Sequence, residues 1–412
     1  MRCLALVLGS LSLLASVVTA EGEAWSRFRG PNGSGKSDLQ GIPSQWTAED
    51  YDWVIDIPGK GHAAPAIWGD RLFVTTGSDA GARSLWCVNA LTGEKLWEVT
   101  QQLNASKLHQ KNSYASVTPV TNGEVVVVTH GDDQSYIVIA YNFAGEQLWM
   151  HDLGTIDREH GLGVSPIIYK NLVIIPNDQA GPSDFQAFDV QTGERKWKTD
   201  RKYAKTSYST PMIHAVNGRD QLITLSGGLG LAGLDPLTGE QLWYSGELPQ
   251  RTVASPLVTE DGLIIGICGQ GGRGVLMVAV DPSGRGDVSA THIRGTREQN
   301  IPYVPTPIID GRYMFLWNDD GIVCCVDLAG DLQTNLWRNR VGGNFSASPV
   351  LINNRLFSVS EEGEVVVLDA APEYQLLGRT PLGDPSYATP AVANDRVYFR
   401  TFHKLFCLKA KG

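Results

Sequence analysis

At 412 residues, with 44 acidic against 34 basic side chains and a formal charge of −10, the chain can hold a large core but has the wrong sign for a nucleic-acid partner. Beyond its N-terminus no apolar run is long enough to span a bilayer as a helix. Its six cysteines include no CxxC pair, which excludes a zinc ribbon and argues against a disulfide framework.

Residues 1–20 read as a secretory signal: Arg2 is the positive start, Leu4 to Val18 the apolar stretch, and Val18-Thr19-Ala20 the small-residue cleavage site. Glu21, rather than Cys, follows the cut, so no lipid anchor is expected, and Cys3 leaves with the signal. The mature chain is expected in the periplasm or secreted. Residues 21–49 form an N-terminal arm. Within it, Gly30-Pro-Asn-Gly-Ser-Gly-Lys-Ser37 matches the Walker A pattern. That loop cradles phosphate only between an apolar strand and a helix. Neither flank qualifies, so no phosphate site is expected.

From residue 50 onward the chain repeats itself. A small residue, then Ser, Thr or Ala, then Pro recurs at Pro65, Pro119, Pro166, Pro211, Pro256, Pro307, Pro349 and Pro390. The unit beginning at Ala204 shows the grammar. A strand follows Pro211, Asn217-Gly218 turns the chain, strands lie at 221–226 and 230–234, and Asp235 to Gly239 makes a tight turn before Gln241 to Tyr244. Eight such units predict an all-β, eight-bladed β-propeller of four-stranded antiparallel blades over residues 50–412. The last unit ends one strand short, and the 51–57 segment offers the missing one. Trp53–Ile57 is therefore predicted to pair with 404–409 and close the ring. Blade five has Asp281-Pro-Ser-Gly-Arg-Gly-Asp287 with no Trp, and blade seven has neither Gly nor Trp at the usual place, which reads as drift.

The phrase Asn/Asp-x-x-Thr-Gly-x-x-x-Trp, clearest at Asn89–Trp97, Asp189–Trp197 and Asp235–Trp243, resembles the tryptophan-docking repeat of the pyrroloquinoline quinone (PQQ)-type propellers. The Trp is kept at Trp97, Trp149, Trp197, Trp243 and Trp337, and the resemblance implies that these residues hold neighbouring blades together. That superfamily includes quinoprotein alcohol dehydrogenases and the non-catalytic propeller lipoprotein of the outer-membrane β-barrel assembly machinery. The arm segment Trp25–Gly35 is also similar to the start of exported PQQ-like propeller proteins of planctomycete-type bacteria.

The dehydrogenase branch implies PQQ with Ca²⁺, oxygen ligands and an Asp base. Asn177-Asp178 and Asn318-Asp319-Asp320 are the candidate oxygens, but both fall where turns use Asn and Asp anyway. Cys324-Cys325 lies in a strand-like run whose side chains alternate in direction, which suits packing better than a vicinal disulfide. No cofactor or metal is therefore expected. Asp79, Asp132, Asp133, Asp178, Asp184, Asp319, Asp320, Glu361 and Glu362 fall in turns expected on one face, a candidate acidic surface for a cationic partner. His62, Tyr208 and Tyr387 stand three residues before a repeat proline and are expected at the channel mouth. The expected function is a monomeric, non-catalytic exported scaffold that binds a protein or envelope component through its loop face. A PQQ- and Ca²⁺-dependent alcohol or sugar dehydrogenase and a polysaccharide-binding module are the alternatives.

Overall fold

Long runs of valine and isoleucine can be satisfied only where both faces of a strand are covered, and each repeat supplies two such strands. In the second repeat, Val125–Gly131 and Tyr136–Asn142 are buried almost throughout, whereas outer strand Gln147–Asp152 buries only Trp149. The computed structural model describes residues 24–106, 108–157 and 160–412, so the proposed signal segment lies outside the described residues. Eight sheets of four or five strands form an all-β, eight-bladed propeller. Its first hairpin turns and Thr-Gly turns share one face, here the turn face. The strand-two-to-three turns and the residues preceding each repeat proline share the other, the loop face.

Ring closure follows the predicted pairing. Tyr51–Asp56 runs antiparallel to Lys404–Lys409, with Trp53 opposite Cys407 and Ile55 opposite Leu405. The Ile57 N–H then continues to the His403 carbonyl at 2.7 Å.

Three kinds of contact join the blades. Apolar layers fill each seam. Around the channel, the hydroxyl before a repeat proline accepts the backbone N–H of the equivalent residue one blade earlier. These bonds run from Ala64 to Thr118 (3.2 Å), Thr118 to Ser165 (3.0 Å), Ser165 to Thr210 (3.3 Å), Ser255 to Thr306 (3.0 Å), Thr306 to Ser348 (3.0 Å) and Ser348 to Thr389 (3.0 Å). At the periphery, outer-strand indoles donate to a carbonyl in the next blade's turn: Trp97 to Phe143, Trp149 to Val190, Trp197 to Pro236 and Trp337 to Ala371, at 2.9–3.2 Å. Trp53, which the sequence did not single out for this role, does the same to Ala90 at 3.1 Å. Trp243 instead donates to Gln221 Oε1 of its own blade at 2.7 Å, since blade five has no Thr-Gly turn to receive it.

The two irregular blades are compensated. By strand register, the docking Trp position is Gly295 in blade five and Gly378 in blade seven. A Cβ at Gly378 would stand 2.1 Å from the Ser44 carbonyl oxygen, so the arm occupies that space. There Trp46, 5% exposed, stacks on Phe399 of blade eight at 5.4 Å and donates to the Tyr51 hydroxyl at 2.8 Å. At Gly295 the nearest atom to an added Cβ belongs to the Leu332 side chain of blade six.

Before reaching that seam the arm crosses the channel at the turn face. Ala24–Trp25 pairs with the inner strand Ala66–Trp68, and Lys36–Ser37 runs parallel to the inner strand Val350–Ile352. Between them the buried Arg29 donates to the carbonyls of Thr306 and Pro349 (both 3.1 Å) and Pro307 (2.9 Å), while Arg27 donates to Pro211. The Walker-like run is this crossing, a 3-10 turn over Pro31–Gly33 rather than a strand–loop–helix.

Replacing Thr306 by Val keeps its shape but removes the acceptor for a buried N–H, and is expected to cost about 1–3 kcal/mol in chemical denaturation. Trp46→Ala is expected to cost about 3–5 kcal/mol. Leu336→Ala, on an outer strand at 46% exposure, should stay within about 0.5 kcal/mol of the parent.

Candidate functional site

Because the arm closes one end of the channel, what remains is a blind funnel of about 480 Å³ opening on the loop face. Phe28 from the arm is at its lining, as are Thr118, Ser165, Thr306, Ser348 and Thr389 of the hydroxyl ring. His62, Tyr208 and Tyr387 all line the funnel. The His62 ring lies 4.6 Å from Tyr387 and 5.0 Å from Phe402, and His160 bridges His109 (4.5 Å) and Tyr208 (6.3 Å). Two aromatic clusters thus flank one cavity.

His62 is 9% exposed, and neither ring nitrogen has a hydrogen-bond partner. Burial, reinforced by the Lys60 and Arg400 charges, pushes its pKa down to about 3. The Lys111 backbone carbonyl pulls weakly the other way without closing a hydrogen bond. The ring is neutral near pH 7, with one donor and one acceptor nitrogen. His109 Nδ1 accepts the Lys111 N–H at 3.2 Å, which puts its own proton on Nε2.

Of the nine carboxylates expected in turns, Asp184 instead opens the strand Asp184–Asp189, and the nine divide into a buried set, an exposed set and Glu361 between them. Asp132, Asp178, Asp184 and Asp319 are buried and engaged in local structure. Asp132 accepts N–H groups of Asn104, Gln134 and Ser135; Asp178 pairs with Arg201 at 3.1 Å; Asp184 lies 3.3 Å from Lys198. Asp319 accepts the Tyr303 and Val304 N–H groups at 2.7 and 3.2 Å, and burial raises its pKa to about 6. Asp79, Asp133, Asp320 and Glu362 are exposed. Glu361 is half-buried and meets Lys111 across the mouth at 2.7 Å. Lys111, Arg251, Tyr303 and Phe28 also line the funnel and were not anticipated. For Lys111 the signal was available in the long 103–119 connection between blades one and two, whose length exceeds what a blade-to-blade link needs.

The carboxylate and amine at this lining that a PQQ–Ca²⁺ centre would draw on already have partners in the fold. Both Asp319 oxygens already accept backbone N–H groups, and no trio of His, Cys, Asp or Glu side chains among the described residues is arranged to hold a metal. The Lys111 amine, a candidate partner for a quinone carboxylate, is held by Glu361. Cys324 and Cys325 are free thiols in one strand, buried in the layers on opposite sides of blade six.

His62 and the buried His130, whose pKa burial and Arg83 likewise push to about 3, stay neutral in the fold. As pH falls from about 6.5, the unfolded chain binds protons that the fold does not, so stability must drop on acidification. Asp319 acts in the opposite sense, because its raised pKa favours the fold as it protonates below about 6. His62→Gln is expected to flatten the acid-side slope by up to about 1.4 kcal/mol per pH unit, read from urea titrations between pH 7 and 4.

A family profile described as outer membrane protein assembly factor BamB matches residues 49–159, 106–333 and 331–408. The BamB of Bordetella pertussis is 22% identical over 357 residues, covering 85% of this chain and 81% of that protein. Among solved structures, the quinohemoprotein alcohol dehydrogenase of Comamonas testosteroni superposes with a TM-score of 0.69 at 13% identity, over 95% of this chain and 82% of that one. BamB from Moraxella catarrhalis does so with a TM-score of 0.59 at 16% identity, over 87% and 97%. At these identities the two structural likenesses speak for the propeller fold, while the profile spans nearly every blade from residue 49 to 408. The chain belongs to the family of the outer membrane protein assembly factor BamB.

Proposed function

We propose that this protein is an exported, non-catalytic propeller scaffold that holds a protein or envelope component on its loop face. The observation that carries the reading is the family match across the propeller, joined to the one-sided architecture of the channel. The arm seals the turn face, leaving the loop face as the open end. Exposed carboxylates at Asp79, Asp133, Asp320 and Glu362 rim that end, where they attract a basic segment of a partner. The apolar signal at 1–20 supports export. Among the described residues no helix is long and apolar enough to cross a membrane.

The likeness to a quinohemoprotein dehydrogenase, together with a buried carboxyl of raised pKa in the funnel, favours a second reading as a quinone-dependent enzyme. A titration of the mature chain with PQQ and Ca²⁺, run with alcohol- or sugar-driven dye reduction, separates the two. The scaffold reading expects no substrate-dependent reduction, and turnover would replace it.

Reversing charge with Asp133→Lys, Asp320→Lys and Glu362→Lys together is expected to lower capture of a basic envelope partner about tenfold at low salt. The difference should shrink as salt rises. Equal capture by parent and variant would count against the acidic rim.

A further inference from the structure

The connection between blades one and two runs from the end of one strand at Gln102 to the start of the next at Val120 and reaches out over the funnel mouth. Its base is tied down. The Ala115 carbonyl accepts the His62 and Ala63 N–H groups at 2.9 Å each, and the Tyr114 hydroxyl donates to the Ser106 carbonyl at 2.6 Å. The Tyr114 ring also lies 3.6 Å from the Arg83 guanidinium. Further out, Asn112 Nδ2 donates to the Leu162 carbonyl at 3.2 Å, and Leu108 packs against Gly161. Between those two points His109, Gln110 and Lys111 are exposed. Among the described residues two contacts hold this tip to the rest of the mouth: His109 on His160 at 4.5 Å, and the Lys111 amine on Glu361 of blade seven at 2.7 Å. Glu361 is fixed from its own side, by the Ser346 hydroxyl at 2.6 Å and through its N–H to the Asn344 carbonyl at 2.7 Å. Lys111 is therefore the half of the pair that can leave.

On its way to blade seven the tip passes the link from blade eight to blade one, which carries His62. The His62 ring is packed between Tyr387 and Phe402, and the Lys111 carbonyl stands on its nitrogen side without closing a hydrogen bond. With the tip down, both ring nitrogens are buried and unmatched, which opposes closure. A partly exposed ion pair favours closure only weakly. Two small effects of opposite sign make a closure that can reverse.

We propose that His109–Lys111 is the tip of a hinged strap, latched by Lys111 on Glu361, that covers His62 and lifts to open that side of the funnel. The hinge points are Leu108 and Asn112, and the base from Tyr114 onward stays in place. Lifting lets water reach both imidazole nitrogens. The device works whether or not the loop face captures a partner, although a basic segment arriving there would compete with Lys111 for Glu361.

The test is the rate at which diethyl pyrocarbonate modifies each histidine of the full mature chain at pH 7, read by peptide mass spectrometry. In the parent at low salt His62 should react more slowly than exposed His109. Salt at 1 M, Lys111→Ala and Glu361→Gln should each raise the His62 rate about three- to fivefold, the span such an ion pair can hold. Lys111→Arg should keep it slow. His130, buried beneath the base, should stay unreactive throughout, because only the tip moves. The salt series needs no substitution, so a variant that fails to fold does not decide the matter. The strap is overturned if His62 in the parent reacts as fast as His109 at low salt. It is equally overturned if neither salt nor the folded variants change the His62 rate, which would leave blade eight as the whole cover. A rise at His130 in step with His62 would replace a lifting tip by general loosening of the loop face.

Discussion

A propeller has no through-going sheet, so its unity depends on how each blade grips the next near the axis. Here the grip is a hydroxyl that accepts a backbone N–H from the blade before it, repeated at six seams. The proline that follows explains why that position can do this. Proline confines the preceding residue to extended backbone and has no N–H of its own, so the last free donor on the inner strand is turned outward to the neighbour. Two seams depart from the rule and are held differently. At the last-to-first seam Ala64 has no hydroxyl, and Arg400 Nη1 donates to the Ala63 carbonyl at 3.0 Å instead. At the fourth-to-fifth seam Ser255 Oγ is unpartnered, while Thr252 bonds Ser207 at 2.7 Å and the Tyr208 N–H reaches the Thr252 carbonyl at 2.8 Å.

The arm repairs and specialises this ring. Six of the apolar layers contain residues of two adjacent blades, but the seventh gathers blades seven, eight and one around Trp25, Ile42, Trp46 and Trp53. The arm thus replaces a missing docking residue with Trp46, and the strand that follows it completes the last blade. By crossing the channel with two buried arginines it also turns a tunnel into a funnel. Those arginines lose much of their solvation, and burial lowers the pKa of each to about 9. Several carbonyl acceptors on Arg29 offset that cost.

The propeller was legible in the chain because its signals are local and repeated: a proline, a tight turn and a tryptophan at fixed spacing. Closure was legible for the same reason, since a unit one strand short at one end matched a spare strand at the other. The irregular blades were not, because at Gly378 the remedy is the arm, hundreds of residues away, and at Gly295 it is Leu332 of the next blade, and only the two glycines mark either in the sequence. The site was half legible. The repeat phase placed His62, Tyr208 and Tyr387 on one cavity, yet phase alone could not tell Asp133, which faces solvent, from Asp132 beside it, which caps a loop. That distinction depends on which way a turn residue faces, and Asn104, its partner, lies outside the turn altogether.

Pairing of Tyr51–Asp56 with Lys404–Lys409 has a temporal meaning as well. The segment that completes the eighth blade is synthesised before the first blade, and its partner is the last strand of the propeller to be made. Until then Trp46 lacks Phe399, the ring it stacks on, and remains adhesive surface, whereas Trp53 already has the Ala90 carbonyl of blade one within reach. Such a distant pairing makes for slow, late ring closure. The indole of Trp46 is therefore the part of the arm that stays uncovered longest, and the ring is sealed only when the last strand arrives.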